Sequence, residues 1–192
     1  MNEHQLDPSE MEGLLDELRR RLDAAGIAAR IHVFGGSAMA LRFPDDSETR
    51  MTQDIDAAFQ PREAVLGVIA AMAEERGLPP TWLNSSGSAF IPPGDRSEET
   101  ATGVDFTVAT VDELIAMKLA ASREQDLHDL GILARNAGIA DPERLVEIAF
   151  AAYGEDSMAL TETRGDYLVM ATQALAQAKK RASRSGGSRP AG

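Results

Sequence analysis

The chain contains no cysteine. Disulfides and thiolate metal sites are therefore impossible, and a reducing compartment is the simplest setting. No apolar run approaches the ~20 residues that a membrane-spanning helix needs. Residues 1–15 are acidic and polar, unlike a secretory signal with its basic start and apolar middle. These absences lead us to expect a cytoplasmic protein with no membrane partner. Positive charge is also scarce: 19 Lys and Arg stand against 31 Asp and Glu, for a net charge of −12. Five basic residues (Lys179, Lys180, Arg181, Arg184, Arg189) fall in the last stretch, Lys179–Gly192, which holds no acid. The rest of the chain is correspondingly more acidic. Such a body works against broad contact with a nucleic-acid backbone, leaves room for a local basic groove, and favours divalent cations nearby.

What is present suffices for a core. Hydrophobic residues make up 43% of 192, which suits one domain, or one domain with a small helical cap. Asp7-Pro8-Ser9-Glu10 has the form of a helix start, and Leu14, Leu15, Leu18 and Leu22 follow at helical spacing up to Gly26. A strand is predicted over 30–34, then a turn at Gly35-Gly36-Ser37 and a short helix to about Leu41. Phe43 to Glu48 is a polar loop. A second strand is predicted over about 52–59, and Pro61 opens a helix that Gly77-Leu78-Pro79-Pro80 stops. Trp82-Leu83-Asn84 is a short structured piece before a turn-rich stretch, Pro92 to Gly103, that holds Asp95, Glu98 and Glu99. Val104 to Ala109 reads as a strand. Thr110-Val111-Asp112-Glu113 is a capping box opening a helix to about Ala137, followed by helices from Asp141-Pro142 and over about 164–181.

The fold class expected is α/β (α+β): a small mixed sheet of four or five strands with flanking helices and a C-terminal helical lobe. The divisions expected are an α/β core over 1–110, a helical region over 111–181, and a disordered basic tail over 182–192.

The chemistry gathers between Ile31 and Phe59. Gly35, Gly36 and Ser37 sit where a strand turns into a helix. Glycine lets a backbone approach an anion closely, and a helix N-terminus points free N–H groups and partial positive charge at it. Downstream, Asp54-Ile55-Asp56 puts two carboxylates on one side of a strand, because residues i and i+2 share a face. Two aligned carboxylates repel unless a cation or a proton intervenes, and hard oxygen ligands suit Mg²⁺ or Mn²⁺. A phosphate-cradling turn beside a metal-holding Asp-x-Asp is equipment for transferring a nucleotide. The plainer readings are an ordinary strand–helix turn and an exposed strand end.

Gly36-Ser37 followed by Asp54-x-Asp56 resembles the signature of the DNA polymerase β-type nucleotidyltransferase superfamily. Gly35-Gly36-Ser37-Ala38, Arg50-x-Thr52-x-Asp54-Ile55-Asp56, Trp82-Leu83-Asn84, Met117-Lys118-Leu119 and Asp126-Leu127-x-Asp129-Leu130 together resemble short bacterial nucleotidyltransferases related to the AbiEii toxins. The likeness runs from about Val33 to Leu133. Sixteen residues separate Ser37 from Asp54, more than the superfamily's compact form has, and the Phe43–Glu48 loop is the insertion. The resemblance implies an NTP substrate, two Mg²⁺ or Mn²⁺ ions, a hydroxyl acceptor on a tRNA end or a protein, and control by an antitoxin protein. It also implies that Asp105 is a third acid, sharing one metal and acting as general base; the plainer reading is a strand-end Asp facing solvent.

Lys118 lies in an apolar helix stretch. Leu114, Lys118, Ser122 and Asp126 would share a row of one continuous helix, with Asp129 close by. As a point charge Lys118 could reach a triphosphate, and the related toxins use a lysine and an acid on this helix. The alternative is a salt-bridged structural lysine. Arg50, Thr52 and Asp126 are further candidates for substrate contact. Trp82 reads as packing rather than a stacking platform, and His32 and His128 lack metal-ligand spacing. Two other functions fit the same fold: a non-catalytic binding or regulatory protein, and an antibiotic nucleotidyltransferase whose acidic cleft attracts a cationic aminoglycoside.

Overall fold

The computed structural model describes residues 5–93 and 102–185. It has the expected mixed α/β architecture: seven helices and one four-stranded sheet among the described residues. The described residues divide into two compact units, 5–91 with 102–109 and 92–93 with 110–185.

The first unit opens with α1 (Pro8–Ala24). Asp7 caps it, accepting from the Glu10 N–H at 2.8 Å while the Glu10 side chain accepts from the Asp7 N–H at 3.1 Å. This is the reciprocal box the sequence promised; removing such a cap costs about 1 kcal/mol. Met11, Leu14, Leu18 and Leu22 form its buried stripe. Then follow β1 (Ala29–Val33), α2 (Gly35–Arg42), β2 (Ile55–Gln60), α3 (Arg62–Arg76), the two-residue strand β3 (Leu83–Asn84), a 3₁₀ turn over Ser88–Phe90, and β4 (Val104–Val108).

The strand order is β3-β2-β1-β4. β1 runs antiparallel to β2 and parallel to β4, and β3 runs parallel to β2. The apolar positions Ala29, Ile31 and Val33 of β1 and Ile55, Ala57 and Phe59 of β2 are buried. α1 and α3 pack on the sheet and on each other. Arg19 of α1 fixes the side: its Nη1 donates to the Val104 carbonyl at 2.7 Å, and its guanidinium lies 4.8 Å over the Phe106 ring. Trp82 is buried and donates from Nε1 to the Ile69 carbonyl at 3.2 Å, tying α3 to the start of β3. It is a packing residue, as its sequence setting indicated. The other face of the sheet carries Arg30, His32, Asp56, Ala58, Gln60, Asn84, Asp105 and Thr107, by period-two alternation and cross-strand register.

The second unit contains α4 (Val111–Ala121), α5 (Glu124–Asn136), α6 (Pro142–Tyr153) and α7 (Arg164–Ser185). α4 packs on α5 and α6, and α7 on α5 and α6. Gly131 lets α5 approach α7, because a Cβ there would come within 3.1 Å of the Ala174 carbonyl oxygen and of the Ala178 Cβ.

Three expectations are corrected, and the short structured piece is placed in the sheet. The helix expected over 111–137 is two helices, broken where Ser122 takes a left-handed conformation at φ 52°. The Asp-x-Asp strand starts at Ile55, so Asp54 lies just before it, while Thr52 forms an isolated bridge with Leu6. Trp82-Leu83-Asn84 supplies β3, the fourth strand. Residues 182–185, assigned to a disordered tail, belong to α7; the remainder of that tail, and Asp95, Glu98 and Glu99, lie outside the described residues. Among the described residues no helix is long and apolar enough to cross a membrane.

Candidate active site

β1 ends at Val33, and the extended backbone of Phe34 begins α2 without any side-chain cap. Gly35 follows at φ 65°, a conformation that glycine adopts without steric cost. A Cβ at this position would lie 2.9 Å from Oδ2 of Asp56, so a side chain here would displace that carboxylate. At Gly36 a Cβ would meet nothing within 4 Å. The turn and the second acid are therefore neighbours, with open space beside the next glycine. The N–H groups of the first helical turn have no intrahelical acceptors.

Ser37 is buried, and its hydroxyl is spent inside the protein. Oγ donates to the Phe34 carbonyl at 3.2 Å and accepts from the Asp56 N–H at 3.0 Å. The Phe34 N–H in turn donates to the Asp56 carbonyl at 2.9 Å. Ser37 thus clamps α2 to β2. Both hydrogen bonds of its hydroxyl are made within the protein.

Asp56 and Asp54 are both half-buried. Asp54 is held from two sides. Thr52 Oγ1 lies 3.0 Å from the Asp54 carbonyl oxygen and 3.3 Å from Oδ1, and Asn84 Nδ2 donates to Oδ2 at 2.7 Å. Asn84 stands opposite Asp56 in the β2–β3 register while its amide bonds Asp54, so one residue neighbours both acids. Thr52, a candidate substrate contact, positions Asp54 here. Arg50 is exposed.

Asp105 does not join them. It pairs with Arg30 of β1, which pairs with Gln60 of β2. Gln60 is four residues along β2 from Asp56, about 13 Å at strand rise, and β4 lies two strand spacings from β2, about 10 Å more across the sheet. The expected third acid is thus on the correct face at the wrong end. The resemblance supplies an acid but not its place along the sheet, because a strand's register cannot be read from its composition. The residue beside Asp56 is Asn84, for which no site role is predicted. Its only signal was Trp82-Leu83-Asn84 itself, too short to display strand periodicity.

Among the described residues, no three or more Asp, Glu or His side chains gather into a metal-binding group. The donor set still fits a hard cation: Mg²⁺ is commonly held by one or two carboxylates and completes its shell with water and substrate phosphates.

Lys118 lies in the second unit. It is buried, and Nζ donates to Asp126 Oδ1 at 3.1 Å and to Asp129 Oδ2 at 2.6 Å. Asp126 is 1% exposed and also accepts from Arg123 Nε at 2.8 Å. The lysine on α4 and the acids on α5 meet because the chain turns at Ser122, not because they share a helical row. Two of the three ammonium hydrogens are committed to carboxylates, the arrangement of a salt-bridged structural lysine.

Compared with known proteins, the chain matches no family model, no curated protein and no solved structure.

Proposed function

We propose that the first unit is a metal-dependent nucleotidyltransferase. It moves a nucleoside monophosphate from a nucleoside triphosphate to a hydroxyl acceptor, a tRNA end or a protein side chain, in the manner of a toxin held in check by an antitoxin. One observation carries the reading: the uncapped start of α2 lies against the Asp56 carboxylate, with Gly35 at φ 65° and a Cβ there only 2.9 Å from Oδ2. An anion-binding turn and a cation-binding acid pair in contact can grip the two charge types of a metal–triphosphate together.

In this scheme the first N–H groups of α2 hold the β- and γ-phosphates, and the space at Gly36 admits them close to the backbone. Asp54 and Asp56 would ligate Mg²⁺ or Mn²⁺, which polarises the α-phosphate and neutralises the departing pyrophosphate. The acceptor oxygen forms a bond to the α-phosphorus as the bond to the pyrophosphate oxygen breaks, and the hydroxyl proton passes to a carboxylate of the pair. Ser37 and Asn84 act before the reaction, by fixing α2 and Asp54 in place. Positioning and electrostatics supply most of the rate in such transfers.

The test is mass spectrometry of tRNA and protein after incubation of the full chain with each labelled NTP and Mg²⁺ or Mn²⁺. A nucleotide adduct is expected, and it should vanish when Asp54→Ala and Asp56→Ala are combined. Absence of any adduct, together with absence of triphosphate binding, would overturn the reading.

A further inference from the structure

Asn84 occupies the flank of Asp56 in register, yet its amide is turned toward Asp54. Its orientation is fixed by what surrounds it. The Ser86 N–H, which can only donate, reaches Oδ1 at 2.7 Å. The Thr81 carbonyl, which can only accept, lies 3.3 Å from Nδ2. Both neighbours therefore assign the amide the same way round, with the –NH₂ group facing the carboxylate. Asp54 precedes the first residue of β2, so the ladder does not hold it as it holds Asp56. Its carboxylate is set by side chains instead: Asn84 at Oδ2 and the Thr52 hydroxyl at Oδ1. Asn84 is itself anchored, because β3 pairs with β2 at Leu83 and Asn84 and the Ile55 N–H donates to the Trp82 carbonyl at 2.7 Å.

We propose that Asn84 is the positioning residue of the acid pair: its side-chain amide holds the Asp54 carboxylate in the one orientation from which both aspartates reach a single divalent cation. The inference rests on the transferase reading above for the cation, and on the hydrogen bonds alone for the pairing. It gives β3 a purpose. Two residues of strand add little to the stability of a sheet, but they place one amide beside one carboxylate. Groups that orient metal ligands from outside typically contribute 10–100-fold in metal affinity when measured by their removal.

The experiment uses the full chain and Mn²⁺ alone, followed by electron paramagnetic resonance and calorimetry, with thermal melts in EDTA as a second, metal-free readout. Asn84→Ala should weaken Mn²⁺ binding 10–100-fold while the melt in EDTA shifts by only a few degrees, since Asn84 is half-buried at a strand end. Asn84→Asp keeps the acceptor for the Ser86 N–H and so keeps the turn, but sets a second carboxylate against Asp54. At pH 8 it should melt below Asn84→Ala in EDTA and recover when Mn²⁺ is added, because a cation relieves the repulsion. Unchanged Mn²⁺ affinity in Asn84→Ala overturns the proposal. Equal melts of the two variants in EDTA also overturn it, because the side chains then do not face each other. If the unaltered chain binds no Mn²⁺, the transferase reading fails and the role toward a cation falls with it; the EDTA melts still decide the pairing of Asn84 with Asp54.

Discussion

Gly35 and Asp56 are held so close that a single methyl group on the first would sit 2.9 Å from Oδ2 of the second. Adjacent glycines are thereby set opposite tasks. Gly35→Ala places a side chain in a left-handed conformation, which costs roughly 1–2 kcal/mol, and also displaces the carboxylate. Its melting temperature should fall and its metal affinity with it. Gly36→Ala lies in a helix with open space around it and should stabilise the fold by about 0.4–1 kcal/mol. The same methyl stands where phosphate is proposed to approach, so triphosphate affinity should drop as stability rises. Thermal melts beside nucleotide calorimetry separate the two, and a Gly36→Ala chain that binds triphosphate normally would remove the phosphate from this turn.

Asp105 tests register against motif. It is exposed on β4 and paired with Arg30, far from the acid pair. Asp105→Asn should leave Mn²⁺ binding and nucleotide transfer at unaltered levels, with a stability change within about 0.5 kcal/mol. A transfer rate lowered by two or more orders of magnitude would restore it as general base.

Lys118 makes a prediction about folding. Removing one partner from a buried charge network leaves the others uncompensated, at about 3–5 kcal/mol. Lys118→Met should therefore lower the denaturation midpoint of the second unit sharply, and Asp126→Asn should do so too. The sequence supplies convenient probes: its single tryptophan, Trp82, lies in the first unit, and both tyrosines, Tyr153 and Tyr167, lie in the second. A Lys118→Met chain with an unmoved tyrosine transition and lost triphosphate binding would make the lysine a substrate contact after all.

Tyr153 gives a pH dependence. Burial pushes its phenol well above the ordinary value, and nearby Tyr167 adds to the shift. A group whose folded-state pKa is raised contributes stability that is fully present below its unfolded pKa, about 10 for tyrosine, and lost as pH rises beyond it. Stability of the second unit should decline above about pH 10, and Tyr153→Phe should flatten that decline. Denaturant melts from pH 8 to 11 measure the difference; identical slopes in both chains would show that Tyr153 is not the group responsible.

The helices were readable in advance because their signals are local. Asp7 with Glu10, and Thr110 with Glu113, are capping boxes in sequence and in structure. The glycine turn and the two aspartates were legible for the same reason: each is a short segment with its own chemistry. Three things were not. The break at Ser122 depends on a serine in a left-handed conformation, which no residue type announces. The distance of Asp105 from Asp56 depends on which strands pair and at what offset. The contact of Asn84 with Asp54 spans thirty residues and is carried by a strand too short to show a pattern.

The pairing of β1 with β4 has a consequence for how the protein is made. His32 bonds to Thr107 through Nδ1 and Oγ1 at 2.8 Å, a link across 75 residues of chain. β1 is an interior strand, yet the neighbour on one side is delivered last. A chain emerging from the ribosome can join β1 to β2 early, but its central strand stays open along one edge until Val108 is out. At ordinary rates of synthesis, about 5–20 residues per second, that edge is bare for several seconds. Contacts of such long sequence separation are slow to form in any case. The first unit should therefore be the aggregation-prone part of a nascent or truncated chain, and a product ending before Val104 should need a chaperone to remain in solution.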